Sequence, residues 1–333
     1  DVEEMNASSS RGPVDPDGTG QGLFKPDVTN IGGYWVALTE AAGTASTCST
    51  QTVNGDCPTP GQPGYCSDTG GSYAYYNGTS MSCPLTAGFA GVVLQDLVAN
   101  LGVAAPKPSL VKGLLINGAR DLQPASCDYT FEVDQTTIHE GWGMVQATNS
   151  LYGPNGSPTQ RNIDFENEET ANAVATGGSY SRQIDVTAGT PLKVTLVWTD
   201  YPAAAGSGSP LVVNDLDLEV TGPGGTWLGN NFNGNWSNTG GSADRYNVVE
   251  NVYLQSPQSG TYTITVKGYQ VSQDQEPDKA GVNQDFSLVW SGDLGECTST
   301  CGNDTIECDE VCDGTDLGGE SCQTQGFDDG TLA

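Results

Sequence analysis

Apolar residues in the first part of the chain recur at the spacing of an α-helix. The clearest stretch, 82–101, carries them three and four residues apart, which predicts a helix with one buried face. A second helix is predicted over 109–119 with Ser109 as its N-cap, and Pro84 is expected in the first turn of the first helix. The run at 33–39 predicts a buried strand, so this part of the chain is expected to be an α/β domain. The residues expected on the buried helix face are Leu85, Phe89, Val92, Val93 and Leu97.

From about residue 180 the pattern changes to an alternation of apolar and polar residues. In 191–200, Leu192 and Val194 flank Lys193, which is the period of a half-buried strand. Turns rich in Gly, Pro and Asn separate such runs, among them GPGG at 222–225. Because no helical stretch lies between them, the runs predict an all-β antiparallel sandwich or open barrel. The predicted strands are 180–187, 191–200, 215–221, 248–254, 260–269 and 286–290.

The two patterns predict three segments: an α/β domain over 1–155, an all-β domain over 156–293 and a small polar tail over 294–333. The chain carries 41 Asp and Glu against 11 Lys and Arg, a net charge of −30. A surface this acidic repels phosphate backbones and anionic lipids, which excludes nucleic-acid and membrane-surface binding as leading functions. No run of 18 apolar residues occurs, so no membrane span is expected.

Ten cysteines and three methionines are typical of an oxidising compartment and predict a secreted protein. The chain opens without an initiator Met or a signal-peptide core, which predicts that it begins inside a longer precursor. Cys83 lies on the first predicted helix and is expected to be a buried free thiol. Four further cysteines precede residue 156 and can form two disulfides: Cys48, Cys57, Cys66 and Cys127.

The tail spaces its cysteines as C-x3-C-x6-C-x3-C from Cys297 to Cys312, and Cys322 follows. A zinc ribbon and a disulfide-bonded module both fit this spacing, and the acidic flanks and extracellular context favour disulfides. A segment this small and polar needs such bonds to hold it. Because five cysteines cannot all pair, the tail is expected to be truncated before a further cysteine.

The stretch from Asn77 to Pro84 carries the most informative chemistry. Ser80 follows Gly78 at the start of a predicted helix. Acyl transfer needs such a tight turn, because backbone N–H groups and the positive helix end then face a developing oxyanion. The alternative is an ordinary serine that caps the helix N-terminus.

Gly78-Thr79-Ser80-Met81-Ser82-x-Pro84 resembles the nucleophile motif of subtilisin-like serine peptidases. Ser-Ser-Arg-Gly-Pro at 9–13, Lys-Pro-Asp-Val at 25–28 and Gly-Trp-Gly at 141–143 are similar to other motifs of that family, in the family's order. The resemblance implies that Ser80 is the nucleophile and that its backbone N–H is one oxyanion donor. The family's catalytic Asp, catalytic His and oxyanion Asn precede the motif at 9–13. The chain therefore resembles the C-terminal part of such an enzyme and is expected to be inactive when made alone.

His139 is the single histidine of the chain. It lies 59 residues after Ser80, whereas a subtilase histidine comes before the serine. A general base must lie within hydrogen-bonding distance of its serine, and nothing in the sequence places His139 there. A surface or packing role is therefore expected.

The second and third segments extend the resemblance. LVWTDYP, LVVNDLDLEV and NVVENVYLQSPQSGTYTITVKGY are similar to the C-terminal β-barrel of some bacterial subtilases, and the tail is similar to a Cys-rich repeat of myxobacterial secreted proteins. Related barrels bind calcium, which implies a structural Ca²⁺ on Asp217, Asn231 and Asp244. The alternative is that these are turn residues that bond their own backbone. Asn231 and Gly234 stand where the family tends to be acidic, which implies a lower affinity.

Together these observations predict a secreted serine endopeptidase of the subtilisin type. It would act on protein and peptide substrates through an acyl-enzyme, and the N-terminal remainder of the same precursor would supply the missing Asp and His. The competing hypothesis is a non-catalytic extracellular module that binds or anchors. The sequence encoded upstream of Asp1 distinguishes the two.

Overall fold

A computed structural model describes residues 9–18, 22–32, 36–39, 73–76, 78–122, 140–151, 162–167, 169–208 and 210–294. The chain divides into two compact units: Asp1–Leu151 with Ser207–Leu211, and Tyr152–Gly206 with Val212–Ala333. The described residues do not include His139, the tail beyond 294, or Cys48, Cys57, Cys66 and Cys127. The predicted disulfides of the tail and of the first segment therefore lie outside them. The predicted division into three segments stays a prediction.

The first unit combines helices with short strands. Strand β1 (Val36–Thr39) pairs antiparallel with β2 (Tyr73–Tyr76), and α1 (Thr79–Ala99), α2 (Pro108–Asn117) and α3 (Ala147–Ser150) follow. Isolated bridges join Thr29 to Met144 in parallel and Arg120 to Met144 antiparallel. The α/β expectation is thus supported in part. The buried apolar residues of this unit are Val93, Leu97, Leu110, Leu114, Leu115, Ile116, Ala119, Trp142 and Val145.

Both helices begin earlier than the sequence predicts. Helix α1 begins at Thr79, so Pro84 lies inside the helix and not in its first turn. Because proline lacks an N–H, the carbonyl four residues earlier, that of Ser80, receives no helical hydrogen bond from it. Helix α2 has Pro108 in its first turn and Lys107 as its N-cap, so the prediction that Ser109 is the N-cap is wrong.

Helix α1 is apolar on most sides, and only Val93 and Leu97 are buried. Of the predicted buried face, Val92 is 46% exposed, and the prediction that Cys83 is buried is wrong because this free thiol is exposed. By length and composition α1 could cross a membrane, the one such helix among the residues described. Core helices of soluble proteins meet the same criterion, so one such helix is weak evidence for a span.

The second unit consists of two antiparallel sheets. The first has the strand order β4-β10-β6-β7-β8, and the second has the order β3-β11-β5-β9. The strands are β3 (Asn162–Asn167), β4 (Ser179–Val186), β5 (Leu192–Val197), β6 (Asp215–Gly222), β7 (Gly225–Asn233), β8 (Trp236–Thr239), β9 (Val249–Leu254), β10 (Gly260–Gln270) and β11 (Ser287–Gly292).

One hydrophobic core joins the two sheets, and it is supplied by residues that alternate along β4, β5, β6, β9, β10 and β11. On β6, for instance, Leu216, Leu218 and Val220 are fully buried, whereas the residues between them are half-buried. The largest buried rings of this core are those of Trp290 and Tyr262. Among the described residues each sheet ends in strands that are paired on one side only, so the prediction of antiparallel sheets is confirmed and a closed barrel is not found.

All six strands predicted for the second unit form, with ends shifted by up to three residues, and the predicted turn at 222–225 joins β6 to β7. Within the second unit, the sequence pattern does not predict three of the strands: β3, β7 and β8. Strand β7 has the sequence GTWLGNNFN, whose glycines and asparagines disfavour strands. It forms because β6 and β8 pair with it on both sides.

Candidate functional site

Ser80 is the second residue of α1 and is exposed. Gly78 is the N-cap of this helix, with φ 130° and ψ 169°, a conformation that L side chains rarely adopt. The alternative that Ser80 caps the helix is therefore wrong. Gly78 is required here because the chain must turn sharply immediately before the serine.

The segment 30–32 holds the start of α1 in place. The Gly78 amide donates to the Gly32 carbonyl, and Ser82 Oγ donates to the Asn30 carbonyl at 3.0 Å. Asn30 Nδ2 also donates to Thr86 Oγ1 at 3.2 Å. A Cβ at Gly32 would lie 2.8 Å from the Gly78 carbonyl oxygen, so only glycine fits beside this turn. These contacts position the turn that presents Ser80.

The start of α1 offers electrostatic stabilisation for a developing negative charge. The amides of a first helical turn have no intrahelical acceptor, and the helix dipole places positive charge there. Among the described residues, the hydroxyl and amide of Ser80 have no hydrogen-bond partner. The arrangement therefore suits an oxyanion at the Ser80 amide, but no described residue is placed to take the proton from its hydroxyl.

The other motifs of the first unit meet at one place. A Cβ at Gly12 would lie 2.2 Å from the Lys25 carbonyl oxygen, and a Cβ at Gly141 would lie 2.3 Å from the Pro26 carbonyl oxygen. The Trp142 amide donates to the Asp27 carbonyl at 2.9 Å. These close approaches explain why glycine stands at two of the motif positions.

A half-buried ion pair fixes this meeting point to α2. The Asp27 carboxylate contacts Lys25 Nζ at 2.5 Å and Lys112 Nζ at 2.9 Å. Burial raises the pKa of Asp27, but the charges of Lys112 and Lys25 outweigh it and hold that pKa below its ordinary value. For the cation Lys112 burial acts in the opposite direction and lowers the pKa below its ordinary value. Asp27 therefore has a structural role within the Lys-Pro-Asp-Val motif.

Glu140 precedes the Gly-Trp-Gly motif and is only 5% exposed. Its Oε2 accepts a hydrogen bond from the Leu122 amide at 3.0 Å. Burial, followed by the hydrogen bond with Asp121 and the charge of Asp121, raises the pKa of Glu140 to about 9. At neutral pH this carboxyl is therefore protonated and can donate its hydrogen bond to Asp121.

The three residues predicted to bind calcium lie in the second unit, and all of them are engaged by other groups. Asp217 Oδ2 accepts from Arg245 Nη2 at 3.2 Å, and Asp217 Oδ1 makes a shorter contact with Arg245 Nη1. Asn231 Nδ2 donates to the carbonyls of Asn238 and Gly240 at 2.8 Å and 2.6 Å. Asn231 thus binds its own hairpin, as in the turn-residue alternative.

Asp244 is held by neighbours other than Asn231. Its Oδ2 accepts from Asn230 Nδ2 at 2.6 Å and from Asn247 Nδ2 at 2.7 Å, and its Oδ1 accepts from the Tyr246 amide at 2.8 Å. No group of three His, Cys, Asp or Glu among the described residues could hold a metal ion. Because Arg245 already neutralises Asp217, the predicted set in this arrangement does not fit a calcium ion.

Three residues whose contacts organise this region are not singled out by sequence reasoning: Asn230, Arg245 and Glu250. Asn230 has φ 57° and pairs through its side chain with β9, since its Nδ2 donates to the Val249 carbonyl and its Oδ1 accepts from the Asn251 amide. Glu250 is 1% exposed, and its Oε2 accepts from the Leu218 amide at 2.7 Å. Burial, and then the charge of Asp244, raises its pKa well above the ordinary value. An acidic residue in a strand of buried residues is the one signal that could have revealed it.

Comparison with known proteins relates the first unit to a peptidase family. Residues 2–133 match the model of the Subtilase family. A protein of Dictyostelium discoideum described as a serine protease/ABC transporter B family protein, tagA, is 28% identical over 167 residues, which are 49% of this chain and 9% of that protein. The subtilase resemblance is therefore confirmed over residues 2–133, and at the level of the family it indicates a serine peptidase.

Among solved structures, a protein from Sulfurospirillum deleyianum aligns with 40% of this chain and 98% of its own length, at 6% identity and a TM-score of 0.21. A likeness this distant supports no inference about fold or function. The resemblances of the β-domain and of the Cys-rich tail stay predictions.

Proposed function

We propose that this chain supplies the nucleophile of a secreted serine endopeptidase and that Ser80 is this nucleophile. The observation that carries the proposal is the exposed Ser80 on the first turn of α1, directly after the Gly78 turn, within a segment that matches the Subtilase family. The first-turn amides provide the positive potential that a tetrahedral intermediate requires.

In the proposed reaction, Ser80 Oγ attacks the scissile carbonyl carbon and its proton passes to a base. The carbonyl oxygen becomes an oxyanion that the Ser80 amide stabilises. Collapse of the intermediate breaks the C–N bond, and the base returns the proton to the leaving amine. Water then hydrolyses the ester by the same route, which releases the acid and restores the serine.

The base and its carboxylate partner would come from the remainder of the precursor. Without the histidine of such a triad, turnover falls on the order of a million-fold. The 333-residue chain made alone is therefore expected to be inactive. His139 is not assigned a catalytic role.

The test compares two proteins: the 333-residue chain and the product of the whole reading frame that encodes it. The whole product should hydrolyse casein and lose this activity in Ser80→Ala. Cys83→Ala is the matched control, because it removes an exposed nucleophilic side chain from the same helix and should leave the activity unchanged. Hydrolysis by the chain alone that vanishes in both Ser80→Ala and His139→Ala would contradict the expected inactivity.

The second candidate is an extracellular module that binds or anchors. The self-contained core of the sandwich favours it, because such a unit can fold without a catalytic partner. If the whole reading frame contains no Asp and His in subtilase contexts and its product lacks peptidase activity, this candidate replaces the first.

A further inference from the structure

Arg245 lies at the centre of an acidic cluster in the second unit. The cluster consists of Asp215 and Asp217, whose carboxylates the guanidinium contacts, Asp244, whose backbone carbonyl it contacts, and Glu250, a buried carboxyl that lies near the charges of these three aspartates. Cations are scarce in this chain, with 11 Lys and Arg against 41 Asp and Glu. The position of one of them among four acidic residues is therefore informative.

Four contacts fix the Arg245 guanidinium. Nη1 donates to Asp215 Oδ1 at 3.2 Å and to the Asp244 carbonyl at 2.8 Å, and both terminal nitrogens contact the Asp217 carboxylate. The opposite side of the group is covered by the Tyr269 ring, whose centroid lies 3.6 Å from Cζ. A bidentate carboxylate together with an aromatic face is the setting in which Arg and Lys are least interchangeable.

The neighbouring cation does not perform this role. Lys267 pairs with Asp217 in the register of β10 and β6, but its Nζ donates to Glu219 Oε2 at 2.8 Å. The outer face of β6 thus has two cations with separate partners. Loss of Arg245 would leave Asp215 and Asp217 side by side with no described cation bonded to either.

We propose that Arg245 is the built-in counter-ion of this cluster, in the place that a divalent cation would occupy, so that the sandwich folds without calcium. The guanidinium already donates to the oxygens of Asp215, Asp217 and the Asp244 carbonyl, which are the hard donors that Ca²⁺ would need. The guanidinium makes no bond to the carboxyl groups of Asp244 and Glu250: other groups donate to Asp244, the Leu218 amide donates to Glu250 Oε2, and the buried Glu250 Oε1 has no hydrogen-bond partner. Removal of Arg245 would leave the carboxylates of Asp215 and Asp217 and the Asp244 carbonyl without their cation, so that a divalent cation could take its place beside these two acids.

The experiment measures the Tm of the 333-residue chain in EDTA and in millimolar CaCl₂ at matched ionic strength. The wild type should unfold at the same temperature in both. Arg245→Met should unfold several degrees lower in EDTA and regain most of that loss with Ca²⁺. The regain should disappear when Asp217→Asn is added, because the paired carboxylates are then no longer available.

Arg182→Met is the matched control. This arginine lies on the same sandwich, 5.7 Å from the Trp290 ring centroid and 3.8 Å from Glu166, so its loss removes a comparable cation. Its Tm should fall without rescue by Ca²⁺. A calcium-dependent rise in Tm of the wild type would overturn the proposal, as would equal rescue of both arginine variants. If Arg245→Met does not fold, the wild-type titration alone decides.

Discussion

The buried carboxyl of Glu140 makes the first unit less stable as the pH rises. In the unfolded chain this group has its ordinary pKa of 4.5, and in the folded unit the pKa is raised to about 9. The folded state therefore binds more protons between these two values, and stability declines as pH rises through that window. Below pH 4.5 both states are protonated and the dependence ends.

The perturbation that tests this is Glu140→Gln. A glutamine keeps the shape of the protonated acid, can accept from the Leu122 amide and can donate to Asp121 without taking up a proton. Between pH 4.5 and 7, a span of 2.5 pH units, the free energy of unfolding of the wild type falls by about 1.4 kcal/mol per unit. At pH 7 the variant should therefore be more stable than the wild type by on the order of 3 kcal/mol.

Hydrogen exchange with mass spectrometry over 108–122 measures this gain, because Leu122 donates its amide to the affected carboxyl. After correction for intrinsic exchange rates, the wild type should lose protection from pH 5 to pH 8, whereas Glu140→Gln should not. Glu169→Gln, at an exposed position, is the control and should behave as the wild type. Equal protection of the wild type at both pH values would refute the reasoning.

Three further substitutions test the packing. Asn214→Ala removes an amide that makes four hydrogen bonds to 272–284, and should lower the free energy of unfolding of the sandwich by about 3 kcal/mol in urea titrations. Gly229→Ala places a Cβ 2.1 Å from Glu250 Oε2 and should lower the free energy of unfolding of the sandwich by about 1–3 kcal/mol. Adding Glu250→Ala should restore part of this loss, and destabilisations that simply add in the double variant would contradict the clash. Gly141 has φ 65° and packs against the backbone of Asp27, so Gly141→Ala should lower the stability of the first unit by about 2 kcal/mol or more. Amide hydrogen exchange over 140–151 should become faster, and an exchange rate equal to that of the wild type would contradict this prediction.

Sequence reasoning succeeds where periodicity and packing agree. The strands of the sandwich that alternate cleanly, such as β6 and β10, are predicted within a few residues, because one face of each is buried. Helix α1 is also predicted, but with a start at Ser82. Its N-cap is Gly78, whose positive φ and contact with Gly32 are tertiary features that a helix-start rule does not contain.

The contacts between distant residues could not be predicted from the sequence. Arg245 meets Asp217 across 28 positions, and the residue joined to Asp244 is Asn230, whereas the resemblance pointed to Asn231. A one-residue shift of this kind follows from the unusual backbone of Asn230, whose φ of 57° turns its side chain toward β9. The exposure of Cys83 likewise depends on which side of α1 is covered, and an apolar pattern on most sides of a helix does not specify that side.

The central claim is that Ser80 is the nucleophile of a serine peptidase. Reaction with a fluorophosphonate, which modifies activated serines, followed by peptide mapping tests it most directly. In the product of the whole reading frame, the adduct should lie on the peptide that contains Ser80 and should persist in Cys83→Ala, whereas the 333-residue chain alone should remain unmodified. An adduct on another serine, or an unmodified Ser80 in a product that hydrolyses casein, would contradict the claim.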